Sequence, residues 1–122
     1  MTNNEPIDFA HLAKYTLNDR VLEAEVLGLF VEQLPQTLDR LRNARTEQDW
    51  RAAAHTIKGS AQAVGAGRLA AAAAAAEVVM DQPDAQPVHL ARLTQEIEIA
   101  VTYVSQSQVA AERALRRDVT PA

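Results

Sequence analysis

The sequence has no cysteine and few aromatic residues. Without a thiol there is no disulfide scaffold, no cysteine nucleophile and no thiolate zinc site. Aromatic residues make up 4% of the chain, whereas 48% of it is hydrophobic and alanine is abundant. Pleated sheets favour aromatic and β-branched side chains, so this balance favours closely packed helices. The composition therefore predicts an all-α domain.

A basic surface and a long apolar segment are also missing. The formal net charge is −4, which argues against general nucleic-acid binding. The longest apolar run, Leu69 to Ala76, is far shorter than the roughly 20 residues that a membrane-spanning helix needs. The first six residues lack the basic and apolar regions of a signal peptide. We therefore expect a cytoplasmic protein that binds neither nucleic acid nor membrane.

Apolar periodicity and breaker residues divide the chain into five helical segments. Asn18 is the expected N-cap of the second segment, Thr46 and Asp49 resemble a cap for the third, and Gly65 with Gly67 is expected to close the third. The second pattern continues past Pro35, so a kink is expected there and not an end. The helices are predicted over residues 8–15, from 18 through Leu41, 47–64, 68–80 and 88–116, with a proline-containing loop at 81–87.

The short connections make sequential helices antiparallel neighbours. The predicted fold is an up-down antiparallel four-helix bundle with a short extra N-terminal helix. The length of 122 residues suits one domain. Residues 1–6 are expected to form a flexible arm, 7–117 the bundle and 118–122 a tail.

The third helix places His55 opposite its apolar face. At 100° per residue, the residues facing away from His55 are Trp50, Ala53, Ile57, Ala61 and Val64. This set is the expected core face, so the imidazole points to solvent from mid-helix. The same exposed face holds Gln48, Arg51, Ala52, Lys58, Gly59, Gln62 and Ala66.

Gly59 lies one turn after His55 on this exposed face. Glycine in a helix interior costs roughly 1 kcal/mol relative to alanine, which this chain uses freely. The missing side chain therefore indicates that space is needed beside the imidazole, either for a bulky group or for the backbone of a partner.

Basic and polar side chains surround the histidine. Lys58 is its neighbour at a spacing of three residues, and Arg51 lies one turn before it. Ser60 and Gln62 can add hydrogen bonds, although a surface or capping role is an equal alternative for both. Such a basic patch on an acidic protein suits an anionic ligand or an acidic partner site.

The chemistry available to this segment is nucleophilic attack by one histidine nitrogen. A neutral exposed imidazole has a lone pair to donate. Neither an acid nor a second histidine lies within residues 54–66 to form a hydrolytic triad. The chain also has no nucleotide-binding motif, and it is too short for a kinase domain.

The segment resembles the signature of histidine phosphotransfer (HPt) domains of bacterial phosphorelays. The resemblance is carried by His55-Thr56-Ile57-Lys58-Gly59-Ser60-Ala61, then Gly65-Ala66 and Leu69. Weaker similarity extends over most of the chain, in the Ile7-Asp8 start, Phe30 and Glu77. The family fold is a four-helix bundle with the phosphorylated histidine exposed on a central helix.

The resemblance implies a role for each residue of the signature. His55 would be phosphorylated on the ring nitrogen farther from the backbone, Lys58 would hold the phosphoryl oxygens, and Gly59 would let a receiver domain approach. Gly65 would permit tight packing or a turn at the helix end. The supporting residues would be Ser60, Gln62, Arg51 and Glu77, and the partner surface would include Gln48, Ala52 and Ala66.

The resemblance also implies the reaction and its partners. The chain would be a phosphoryl carrier without autokinase activity that exchanges a phosphoryl group with the aspartate of a receiver domain, in a response regulator or a hybrid histidine kinase. The receiver would carry the Mg²⁺, so neither a cofactor nor a metal is expected on this chain. A monomer is expected.

Other interpretations of these residues remain open. Some HPt domains have glutamine where Glu77 falls; the glutamate could accept a hydrogen bond from the inner ring nitrogen or be solvated. Arg51 could pair with Asp49 or Glu47. The whole chain could instead be a bundle that binds a receiver without being phosphorylated, or a structural or dimerising bundle unrelated to signalling.

Overall fold

The computed structural model describes residues 5–119, except for the side chains of 109–112 and 114–119. This part of the chain contains five α-helices and no strand, as the composition predicts. The helices are α1 Phe9–Thr16, α2 Arg20–Arg42, α3 Glu47–Val64, α4 Gly67–Val78 and α5 Gln86–Val119.

The four longer helices share one hydrophobic core. α2 packs on α3, α3 on α4, α4 on α5, and α5 returns to α2, while α1 packs against α2 and α3. Large apolar side chains from all five helices are fully buried inside this cycle of contacts, together with Ile7 before α1. The arrangement is a helical bundle; the up-down direction of its helices stays a prediction.

Side-chain caps fix where the helices begin. The Thr46 hydroxyl accepts a 3.0 Å hydrogen bond from the amide of Asp49, which confirms the predicted start of α3. The predicted cap at Asn18 is wrong, because Asn18 has a left-handed backbone with φ of 62°. Asp19 is extended, and its carboxylate accepts from the amide of Leu22. An N-cap needs this extended conformation.

Two prolines of the described residues lie inside helices. α2 continues through Pro35, so the prediction that the helix does not end there is confirmed. Pro87, predicted in a loop, is the second residue of α5. That prediction is wrong because amides of the first helical turn have no intrahelical acceptor, so a proline there loses no hydrogen bond.

Gly65 joins the end of α3 to the start of α1. It caps α3 with φ of 78°, and its carbonyl accepts a 2.9 Å hydrogen bond from the amide of Asp8. A Cβ atom at Gly65 would lie 2.8 Å from the carbonyl oxygen of Asp8. Gly67, expected to help close α3, is instead the first residue of α4.

The predicted terminal segments are only partly described. Residues 1–4 and 120–122 lie outside the described residues, so the boundaries predicted for the arm and the tail stay predictions. Residues 118 and 119 belong to α5. In the described part of the chain, no helix is both long enough and apolar enough to cross a bilayer.

Candidate functional site

α3 turns its apolar face inward and His55 outward, as the periodicity predicts. All five residues predicted for the core face are buried, and Ala54 is buried with them. The imidazole of His55 is 66% exposed. The ring therefore projects into solvent from a helix whose position is fixed by core packing.

One carboxylate on α4 contacts three nitrogen-bearing side chains on α3. Glu77 Oε2 lies 2.8 Å from Nζ of Lys58. Glu77 Oε1 lies 3.3 Å from Nδ1 of His55 and 3.7 Å from Nε of Arg51. The Glu77 side chain is only 16% exposed, so the carboxylate lies between the two helices. We call these four residues the Glu77 cluster.

Helical spacing accounts for the α3 side of the cluster. Arg51 and His55 are four residues apart and Lys58 follows after three more, so the three side chains form one stripe. Tertiary packing accounts for the α4 side. The indole Nε1 of Trp50 donates a 2.7 Å hydrogen bond to the carbonyl of Ala76, the residue before Glu77. This bond fixes the offset between the two helices beside the cluster.

The cluster keeps Glu77 ionised. The Lys58 ammonium, hydrogen-bonded to the carboxylate, lowers the pKa of Glu77 against the opposing effect of partial burial, and His55 lowers the pKa further. The cluster then has two cationic side chains, Arg51 and Lys58, and one carboxylate around the imidazole of His55. The remaining positive charge suits an anion beside His55.

The contact between Glu77 and His55 selects a tautomer of the ring. A carboxylate only accepts hydrogen bonds, so it favours the form with its proton on Nδ1. Nε2 then has the free lone pair. Of the two roles open to Glu77 in the sequence, the contact with the inner ring nitrogen fits the short distance and low exposure, and solvation does not. Likewise, Arg51 faces Glu77 and not Asp49 or Glu47.

Gly59 is exposed, and the space beside it is open. A Cβ atom at this position would contact nothing within 4 Å. The packing of the chain itself therefore does not require the glycine. This agrees with a need for space on the outside of α3.

Two of the predicted supporting residues have exposed or half-buried side chains. Ser60 is half-buried and Gln62 is exposed, and neither side chain has a hydrogen-bond partner among the described residues. The backbone carbonyl of Gln62 does have one, since it lies 3.2 Å from Nε2 of His11 on α1. The sequence did not predict this contact, because nothing local connects the two segments.

The predicted partner surface is exposed at two of its three residues. Gln48 and Ala52 are exposed and line a shallow depression together with Arg51 and His55. The placement of Ala66 on this surface is wrong, because Ala66 is fully buried. The chain leaves the helical path at Gly65, so the angular projection of α3 does not extend to the next residue.

Sequence reasoning also missed apolar residues at the edge of the site. Val78, which is exposed, and Met80 line a second depression with Arg51, Lys58 and Glu77. Their only signal in the sequence is proximity to Glu77. That signal is too weak to distinguish an apolar surface residue from a core residue.

The residues of the site lie within a segment that matches a known protein family. The Hpt domain family model matches residues 25–117, which include the whole Glu77 cluster. Neither the curated proteins nor the solved structures compared with the chain give a match. Because the matched residues span well over half of the 122-residue sequence, the chain belongs to the Hpt domain family.

Proposed function

We propose that this chain is a phosphoryl carrier of a multistep phosphorelay, with His55 as the phosphoacceptor and the aspartate of a receiver domain as the exchange partner. Membership of the Hpt family indicates a phosphotransfer role in two-component signalling. The observation that carries the proposal is an exposed imidazole whose Nδ1 lies 3.3 Å from the carboxylate of Glu77. This contact leaves Nε2 available as the nucleophile.

The proposed step balances without an added reactant. The Nε2 lone pair attacks the phosphorus of the aspartyl phosphate while the P–O bond breaks, and the aspartate carboxylate leaves with the bonding electrons. The ring then carries a positive charge, and Nδ1 keeps its proton towards Glu77. In the reverse step an aspartate oxygen attacks phosphorus, the P–N bond breaks, and Nε2 regains its lone pair.

The neighbouring residues support this step by charge and by space. Lys58 and Arg51 supply positive charge for the phosphoryl oxygens, which is how such transfers are stabilised. Gly59 leaves the outer face of α3 open to the receiver, with Gln48 and Ala52 as part of the contact surface. Ser60 and Gln62 are further candidates for hydrogen bonds.

The activity, cofactor, location and helix directions expected from the sequence also belong to this proposed function. The chain acts without autokinase activity and without a cofactor of its own, and the receiver carries the Mg²⁺. It is a cytoplasmic monomer, and its four long helices run up and down. A carrier needs no more than an accessible nucleophile and a surface that two receivers can bind in turn.

Incubation with phosphorylated receiver domains of the same organism tests the proposal. We expect acid-labile, base-stable phosphate on the wild-type chain and none on His55→Gln. His11→Gln and His89→Gln are matched controls, because they remove the other two histidines. Both controls should accept phosphate normally.

Three outcomes would contradict the proposal. Label retained in His55→Gln would assign the phosphate to another residue. Receiver binding without any label on the wild-type chain, measured by titration calorimetry, would support a receiver-binding module whose histidine is not phosphorylated. Absence of both binding and label would support a structural bundle.

A further inference from the structure

The ammonium group of Lys58 is already paired in the unphosphorylated chain. It lies 2.8 Å from Glu77 Oε2, and the lysine side chain is only 25% exposed. His55, three residues earlier, is 66% exposed. The lysine is therefore directed towards α4, whereas the imidazole projects outward. A phosphoryl group on Nε2 would have to attract the ammonium away from Glu77 or share it.

We propose that Glu77 sets the phosphoryl-transfer equilibrium of His55 by competing with the phosphoryl group for Lys58. This inference rests on the proposed function and adds to it a positioning residue. Its role is to weaken phosphoryl retention, so that the carrier both accepts the group and releases it.

The charges around the ring give the direction of the effect. Arg51 and Lys58 contribute two positive charges, and Glu77 removes one of them before any phosphate arrives. Phosphorylation adds up to two negative charges on the phosphoryl group and one positive charge on the ring, so the net charge added beside the carboxylate is negative and is repelled by it. A neutral glutamine at residue 77 would leave both cations to the phosphoryl oxygens. The glutamate therefore makes His55 a weaker phosphoryl acceptor and a better donor than the glutamine would.

The contact with Nδ1 has a separate effect that glutamine can preserve. While Nδ1 keeps its proton, cleavage of the P–N bond releases a neutral imidazole. Without that proton the leaving group would be an imidazolate, which leaves less readily. The side-chain oxygen of glutamine can accept the same hydrogen bond. Glu77→Gln therefore removes the negative charge and the ion pair with Lys58, while it retains a hydrogen-bond acceptor for the ring.

The chain offers a matched control for this substitution. Glu96 on α5 pairs with Arg68 on α4 at 3.1 Å, and its side chain is 15% exposed. It thus resembles Glu77 in burial and in bridging two helices. Arg68 precedes Glu77 by nine residues on α4, or about 13 Å along the helix, so the Glu96 pair lies away from the cluster.

The test measures the equilibrium between phosphorylated receiver and phosphorylated carrier, with a receiver that transfers phosphate to the wild-type chain. Mixtures are followed to constant composition on phosphate-affinity gels. We expect Glu77→Gln to shift the equilibrium towards phosphorylated His55 by about tenfold, the size expected for removing one charge from a partly solvated site. Glu96→Gln should stay within twofold of wild type.

A second variant tests whether Glu77 acts through Lys58. In a Lys58→Ala background the effect of Glu77→Gln should fall below about threefold, because the competition no longer exists. Long-range ¹H–¹⁵N spectra of the imidazole provide a readout that does not depend on transfer. They should show the proton on Nδ1 in both wild type and Glu77→Gln.

The outcomes separate the two proposals. No phosphate on the wild-type chain would contradict the proposed function itself. Phosphate on the wild-type chain, with an equilibrium unchanged or lowered in Glu77→Gln, would overturn only the role of Glu77. An effect that persists in full without Lys58 would overturn the competition and leave a direct effect of the carboxylate on the phosphoryl group.

Discussion

The indole of Trp50 donates a hydrogen bond of 2.7 Å to the backbone carbonyl of Ala76. Each partner directly precedes a residue of the Glu77 cluster, Arg51 on α3 and Glu77 on α4. Both partners are buried. The bond therefore links the core to the site, since it fixes α4 at the offset where the carboxylate of Glu77 reaches the imidazole of His55.

Trp50→Phe should lower the free energy of unfolding by about 2 kcal/mol. The substitution removes the indole donor and part of a buried side chain, which leaves a small cavity in the core. Urea titration followed by circular dichroism measures the change. Thr56→Ala removes an exposed hydrogen bond within α3 and should change stability by no more than about 0.5 kcal/mol. Equal effects of the two substitutions would contradict a special role for the indole.

Gly59→Ala should raise the free energy of unfolding by about 1 kcal/mol. The added methyl group meets no atom within 4 Å, and alanine has the higher helix propensity. Gly28 in α2 has equally open space, so Gly28→Ala is a control for the propensity alone and should give a similar gain. Thermal melts of both variants check this. A loss of stability only in Gly59→Ala would mean that this glycine has a structural role.

Gly59→Glu should leave the fold intact and slow phosphotransfer from a receiver at least about tenfold. A long acidic side chain one turn from His55 would occupy the open space and repel both the phosphoryl group and an acidic partner site. The control is Ala91→Glu, a comparable change at an exposed residue of α5, whose described residues make no packing contact with α3. Normal transfer by Gly59→Glu would show that the steric interpretation is wrong.

Gly65→Ala should destabilise the chain by about 2 to 3 kcal/mol. The residue has φ of 78°, where alanine is strained, and the new Cβ would lie 2.8 Å from the carbonyl oxygen of Asp8. Gly67→Ala is the matched control, because its Cβ would meet no atom within 4 Å. Chemical denaturation should therefore separate two glycines that are two residues apart. A small effect at Gly65 would mean that α1 can move away from α3 without a loss of stability.

The contribution of Glu77 to stability should be lost in acid. Lys58 holds the pKa of Glu77 below its ordinary value of 4.5, so the folded state favours the ionised carboxylate. The contribution is therefore complete above pH 4.5 and declines as the pH falls through the lower folded-state pKa. The difference in unfolding free energy between wild type and Glu77→Gln, measured from pH 7 to pH 2.5, should follow this course. In a Lys58→Ala background the decline should be smaller.

Errors in the sequence predictions lie at helix ends. Periodicity locates the middle of a helix, because every turn repeats the same apolar pattern. The predicted bounds of α3 agree with the observed ones. Periodicity does not determine which polar residue adopts the extended conformation, so Asn18 was chosen as a cap in place of Asp19. It also cannot indicate that the path turns at Gly65 and buries Ala66. These choices depend on single dihedral angles.

Helical periodicity in the sequence is enough to place His55 away from the core, with Lys58 and Gly59 on the same face. A helical period of 3.6 residues fixes such angles within one segment. The ion-pair partner of these side chains depends on how the helices pack. Glu77 lies 22 residues after His55 in the chain, and the two meet only when α3 packs on α4. Local periodicity contains no information about that offset, which depends on core packing and on the hydrogen bond from Trp50 to Ala76.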